Sequence, residues 1–179
     1  MTLTVGGLPG TGTTTLCRLL ERVLQLPYIY AGQLFREEAA RRGMTLAEYN
    51  ALAQHDPSVD RDLDLQQIEF LRGGGVILEG RMAGWLAHRY EIPAYKTWLV
   101  CDEDERIRRL VERDGEDAVA QAAAMDDRVT READRYGRYY GADLSDLSIY
   151  DLVLDSTGVP PDALRDQVLA ALDAPRKPR

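Results

Sequence analysis

An α/β fold built on a parallel sheet of about five strands is predicted by three features of the sequence. Short apolar runs alternate with longer segments of helical periodicity. One of these runs, Val76-Ile77-Leu78, is apolar throughout, as a strand covered on both faces must be. A turn rich in glycine and threonine separates the first run from the first helical segment, which is the strand–loop–helix opening of an α/β domain.

The elements follow in order. Leu3-Thr4-Val5 is a strand stopped by Gly6-Gly7. After the turn, Leu16, Leu19, Leu20, Val23 and Leu24 recur at helical spacing. Tyr28-Ile29-Tyr30 is a second strand, and residues 33–42 are a helix ended by Gly43. Thr45 opens another helix as a capping box with Glu48 three residues on. Asp56-Pro57-Ser58 breaks the chain, and a helix from Ser58 to Arg72 ends at Gly73-Gly74-Gly75. Val76 to Leu78 is the third strand and Thr97 to Val100 the fourth. Asp102 to Arg113 is a charged amphipathic helix, and residues 116–140 form one long helix or two. Leu152-Val153-Leu154 is the fifth strand. Pro160-Pro161 opens a last helix, with Leu164, Val168 and Leu172 on its inner face. Pro175 to Arg179 is expected to fray.

Composition narrows the function. The 179 residues suit one ordinary domain, or one domain with a small inserted lid, and a net charge of −8 argues against a broad nucleic-acid surface. Only two of the 22 basic residues are lysines, Lys96 and Lys177. Any anion must therefore be held by arginine, backbone amides and hydroxyls, although arginine bias can also be genomic. Lys96 is read as the edge of the fourth strand and Lys177 as part of the tail. Cys17 and Cys101 lie in apolar runs and read as buried thiols of a reducing compartment. His55 and His88 lack zinc-ligand spacing and read as surface residues. No apolar run is long enough for a signal peptide or a membrane span, so the expected location is cytoplasmic.

The strongest motif is Gly7-Leu8-Pro9-Gly10-Thr11-Gly12-Thr13-Thr14, followed by Thr15. It has the strand-before, helix-after context of a phosphate-binding loop. Its glycines let amides turn inward around a phosphate, and the helix terminus adds partial positive charge. Thr14 stands where a loop hydroxyl coordinates magnesium. The general pattern calls for lysine between Gly12 and Thr14, and this chain has Thr13. Either an arginine substitutes, or amides, magnesium and threonine hydroxyls suffice, or the loop binds without catalysing.

Three further motifs carry charge to the same chemistry. Tyr30-Ala31-Gly32-Gln33-Leu34-Phe35-Arg36 follows the second strand, and the Arg36 fork suits a monophosphate, although taken alone it reads as a surface arginine on a helix. Leu78-Glu79-Gly80-Arg81 puts a carboxylate at the end of a central strand, where a magnesium-holding acid stands. Arg81 would be a phosphate ligand. Arg128, Arg131, Arg135 and Arg138 share a helical stripe suited to a lid over phosphates. The plain alternative is a solvated face paired with Asp127, Glu132 and Asp134.

Taken together, these motifs and Asp146-Leu147-Ser148-Ile149-Tyr150-Asp151 resemble the archaeal-type (type 2) cytidylate kinases over nearly the whole chain. Gly84-Trp85 and Arg135-Tyr136 add to the match, and threonine at the lysine position is typical of that branch. The resemblance implies a P-loop NTPase fold: one kinase domain over 1–179, a monophosphate-binding insert at about 32–73 and a lid at about 115–141. It implies transfer of the γ-phosphate of ATP to CMP and dCMP, with magnesium on Thr14. Residues 7–15 would hold ATP. Gly32, Arg36, Glu79, Arg81 and Arg135 would bind the acceptor, with Arg81, Arg128 and Arg131 catalytic.

Cytosine offers one amino donor and two acceptors. Asp60, Arg61, Asp64 and Gln67, at one-face spacing in the insert, could read it, or form an ordinary polar face. No nucleic acid or membrane partner is expected, and a monomer is. Two rivals stay open: a kinase for another monophosphate such as AMP or UMP, and a nucleotide-binding module without turnover.

Overall fold

The structure is a computed structural model that describes residues 1–115, 129–131 and 133–174. Its elements are β1 (Leu3–Gly7), α1 (Thr13–Leu24), β2 (Tyr28–Tyr30), α2 (Ala31–Arg41), α3 (Leu46–His55), α4 (Pro57–Gly73), β3 (Ile77–Glu79), α5 (Ala83–Arg89), β4 (Tyr95–Val100) and α6 (Glu103–Asp114). Then come α7 (129–131 and 133–140), a 3₁₀ turn (Leu147–Ile149), β5 (Leu152–Asp155) and α8 (Pro161–Asp173).

All five strands are parallel, in the order β2-β3-β1-β4-β5. Alternation along each strand sends side chains to two apolar layers. Leu3, Val5 and Ile77 pack with Leu16 and Leu20 of α1 and Leu164 and Val168 of α8. Leu78 faces the other way, onto Ile68 and Leu71 of α4 and Ala83 and Leu86 of α5. Each fully buried leucine or isoleucine contributes about 1.5–3 kcal/mol. A third apolar cluster, around Tyr49, Ala53 and Val59, ties α3 and α4 to Ala39 of α2.

The connections leaving β1 and β3 run to opposite sides of the sheet, because β2 lies beyond β3 and β4 lies beyond β1. That reversal opens a crevice at the carboxyl ends of two neighbouring strands. The turn 8–12 follows β1 there, and Gly80-Arg81 follows β3.

Most elements lie within a residue or two of expectation. The Thr45–Glu48 capping box forms with both of its hydrogen bonds. Helix α5 was not anticipated, since seven residues carrying a glycine leave little periodicity. Lys96 stands inside β4 rather than at its edge, buried and paired with Asp151 at 2.9 Å. Cys17 is buried as expected, but Cys101 is only partly so, because it follows the end of β4. His55 and His88 are exposed. Lys177 and the tail lie outside the described residues.

Candidate active site

The loop after β1 owes its shape to left-handed glycines. Gly10 has φ 85° and Gly12 φ 92°, conformations that side chains rarely adopt. A methyl at Gly10 would also stand 2.7 Å from the Arg106 carbonyl oxygen. Thr11, buried, closes the turn by donating its N–H and hydroxyl to the Leu8 carbonyl at 3.2 and 2.9 Å. Gly12 caps α1 and brings no side chain to its first N–H groups. The first amides of α1, those of Thr13, Thr14 and Thr15, precede the first intrahelical bond, from Leu16 N–H to the Gly12 carbonyl, and so could bind an anion.

The loop is held from behind by Arg109 of α6. Its Nη2 donates to the Ser156 carbonyl at 2.7 Å, and Nη1 lies 3.3 Å from Ser156 Oγ and 3.4 Å from the Thr11 carbonyl. Ser156 Oγ, fully buried, donates to that same Thr11 carbonyl at 2.9 Å. The guanidinium thus sits on the carbonyl side of the loop, opposite the amides that would face a phosphate. Nothing in the sequence singled out Arg109, because it reads as one more charge on an amphipathic helix.

Glu79 ends β3 beside the loop and is buried. Its Oε1 accepts the hydroxyls of Thr13 and Thr14 at 2.7 and 2.8 Å. Its Oε2 accepts the hydroxyl of Tyr28. Burial, with Glu79 beside it, pushes the Tyr28 phenol well above its usual value, so it stays a donor. Sequence reading missed Tyr28, since only the β2–β3 pairing brings it to Glu79.

Arg36 and Arg81 project at the carboxyl ends of β2 and β3. Arg36 is exposed, its guanidinium 5.2 Å from the Tyr30 ring centre and its Nε 3.3 Å from Gln33 Oε1. Arg81 is partly exposed directly after Gly80. Gly32, at the start of α2, leaves room for Tyr30, whose ring a methyl there would meet at 2.6 Å.

The polar stripe of α4 divides. Asp60, Asp64 and Gln67 are buried, whereas Arg61 faces solvent. Asp60 pairs with Arg135 of α7 at 2.6 Å, both side chains buried. Gln67 Nε2 donates to Asp64 Oδ1 at 3.1 Å, and Gln67 Oε1 is buried with no hydrogen-bond partner among the described residues. A methyl on Gly80 would lie 3.2 Å from that Oε1, so glycine keeps the space beside it open. Burial raises the Asp64 carboxyl to about 7, against the hydrogen bond from Tyr140 that lowers it.

The arginine stripe also divides. Arg135 is buried, while Arg131 and Arg138 are exposed and line, with Gln54 of α3, a small cleft of about 70 Å³. Arg128 lies outside the described residues, as do Asp127 and Glu132.

The 146–151 motif makes structural contacts. Asp146 caps the 3₁₀ turn, and Asp151 accepts both the amide and the ammonium of Lys96. The Tyr150 ring fills the space over Gly84, where a methyl would meet it at 2.5 Å.

Loops of this construction bind phosphate, and the strand order around this one is that of the P-loop proteins. Residues 3–133 match the AAA domain family. The cytidylate kinase of Pyrococcus furiosus is 39% identical over 173 residues, covering 97% of this chain and 88% of its own. That of Pyrococcus abyssi is 37% identical over 173 residues, covering 97% and 94%. The crystal structure of shikimate kinase from Bacteroides thetaiotaomicron superposes with a TM-score of 0.65 at 16% identity, over 97% of this chain and 99% of that one, and so shares the fold. The chain belongs to the cytidylate kinase family. No helix among the described residues is long and apolar enough to cross a membrane.

Proposed function

We propose that the protein transfers the γ-phosphate of ATP to CMP, and to dCMP as a second acceptor. The carrying observation is the juxtaposition of an amide-lined loop, an acid at the end of β3 and a buried polar α4 face in one crevice. The family's relatives named cytidylate kinase support this choice of acceptor.

In this reading residues 7–15 hold the ATP phosphates on backbone amides. Thr14 would be the hydroxyl ligand of magnesium, and Glu79 would hold the ion's water. When bound, magnesium would neutralise charge on the nucleotide phosphates. Arg36 and Arg81 grip the acceptor phosphate, and Gly32 permits its close approach. That phosphate is already ionised, so no general base is required. Arg131 and Arg128 close on the transferring group from the lid, residues 115–141, and Arg81 completes the cationic set.

The base is read by the α4 face. The free Gln67 Oε1 suits the 4-amino group of cytosine, and Asp60, Asp64 and Arg135 supply the surrounding acceptors and donor. Arg61, exposed, would act only at the rim of this site. In this reading the partners are small-molecule nucleotides. An ADP-release assay over CMP, dCMP, UMP and AMP tests it: CMP should give the highest kcat/KM. A preference for AMP or UMP would reassign the acceptor.

A further inference from the structure

The position that usually holds the loop lysine has been given a different task. Thr13 donates its hydroxyl to Glu79 Oε1 at 2.7 Å, beside the Thr14 hydroxyl at 2.8 Å. Tyr28 donates its hydroxyl to the other oxygen of the same carboxylate, Oε2. Tyr28 opposes Ile77 in the β2–β3 register, two residues before Glu79. Its hydroxyl therefore reaches forward about 6–7 Å along the strands, the rise of two residues. A carboxylate only accepts, and each of these hydroxyls can donate. The result is a buried acid whose two oxygens are both tied down.

We propose that Tyr28 and Thr13 are positioning residues that clamp Glu79, fixing the carboxylate that would face the hydrated magnesium of the bound nucleotide. Thr14 carries a hydroxyl that a metal would use, so the other two hydroxyls do the orienting. Tyr28 belongs to β2, the edge strand, and Thr13 to the first turn of α1. The clamp thus links three elements at one acid. It also gives the loop a use for threonine at position 13: a lysine there would lose the bond to Oε1 and bring a cation to the acid instead. Partners that orient groups around a metal change metal affinity or activity by about 10- to 100-fold when removed.

This inference rests on the kinase reading, and two readouts separate them. The first is the magnesium dependence of CMP phosphorylation in Tyr28→Phe, Thr13→Val and Thr13→Ser. The second is calorimetric titration of ADP with and without magnesium, which needs no turnover. Tyr28→Phe and Thr13→Val should each need about tenfold more magnesium for half-maximal rate. Thr13→Ser, which keeps the hydroxyl, should behave as the parent. Metal-free ADP affinity and the KM for CMP should change less than twofold. Unchanged magnesium dependence in both Tyr28→Phe and Thr13→Val would overturn the proposal. So would an equal loss of metal-free nucleotide affinity, which would mark a merely structural role. A parent protein that binds magnesium–ADP but leaves CMP untouched would instead refute the kinase reading, while the calorimetry still judged the clamp.

Discussion

Arg135 of α7 and Asp60 of α4 form a buried ion pair with Nε and Oδ2 2.6 Å apart. It joins α7 to α4. Breaking such a pair by removing one partner costs about 3–5 kcal/mol, because the other charge is left buried and uncompensated. Asp60→Ala and Arg135→Ala should each lower the urea midpoint strongly, and the double variant should lose less than the two losses added. Additive losses would show that the two residues act separately.

Asp64 makes stability depend on pH. Burial raises its carboxyl from 3.8 to about 7, with Asp60, Arg135 and Tyr140 facing it. Between those values the folded chain holds a proton that the unfolded chain has released, so stability falls as pH rises through that window and levels above it. Asp64→Asn removes this slope. The variant's stability relative to the parent should therefore grow from pH 4 to about pH 7 and then flatten, as read by denaturation at several pH values. A constant difference would contradict it.

Arg131 stands exposed on α7 beside the cleft that Gln54 and Arg138 share. Arg131→Ala should cut kcat by about a hundredfold while changing the KM for CMP little, as expected of a group that meets charge formed in the transition state. Arg128→Ala should do the same. Normal turnover in both would remove the lid arginines from the mechanism.

Arg109 braces the loop from its carbonyl side. Arg109→Ala should lower stability by about 2 kcal/mol and raise the KM for ATP, leaving the KM for CMP almost unchanged. Arg109→Lys should not restore the parent, since one ammonium cannot reach Thr11 and Ser156 as a planar fork does. Full rescue by lysine would show that charge alone is required.

The glycine loop, Glu79 and the capping box were legible because each depends on residues close in sequence. Thr13 was legible as an anomaly, but its partner was not, since the bond to Glu79 spans 66 residues. Tyr28 and Arg109 were hidden for the same reason: one is a strand residue until β3 lies beside it, the other a helix charge until β5 brings Ser156 to it. On α4 a single periodicity suggested four facing residues, and packing buried three of them while turning Arg61 outward. On α7 the same rule suggested one arginine stripe, and the Asp60 pair drew Arg135 inside while Arg131 and Arg138 stayed exposed. Spacing names a face, and the neighbouring element decides which part of it is buried.

The most direct test of the central claim is the product of a single incubation. Purified protein with CMP, ATP and magnesium should yield CDP and ADP in equal amounts, with no CDP when ATP is omitted. ATP binding measured by calorimetry with no CDP formed would contradict the account and identify the chain as a nucleotide-binding module without turnover.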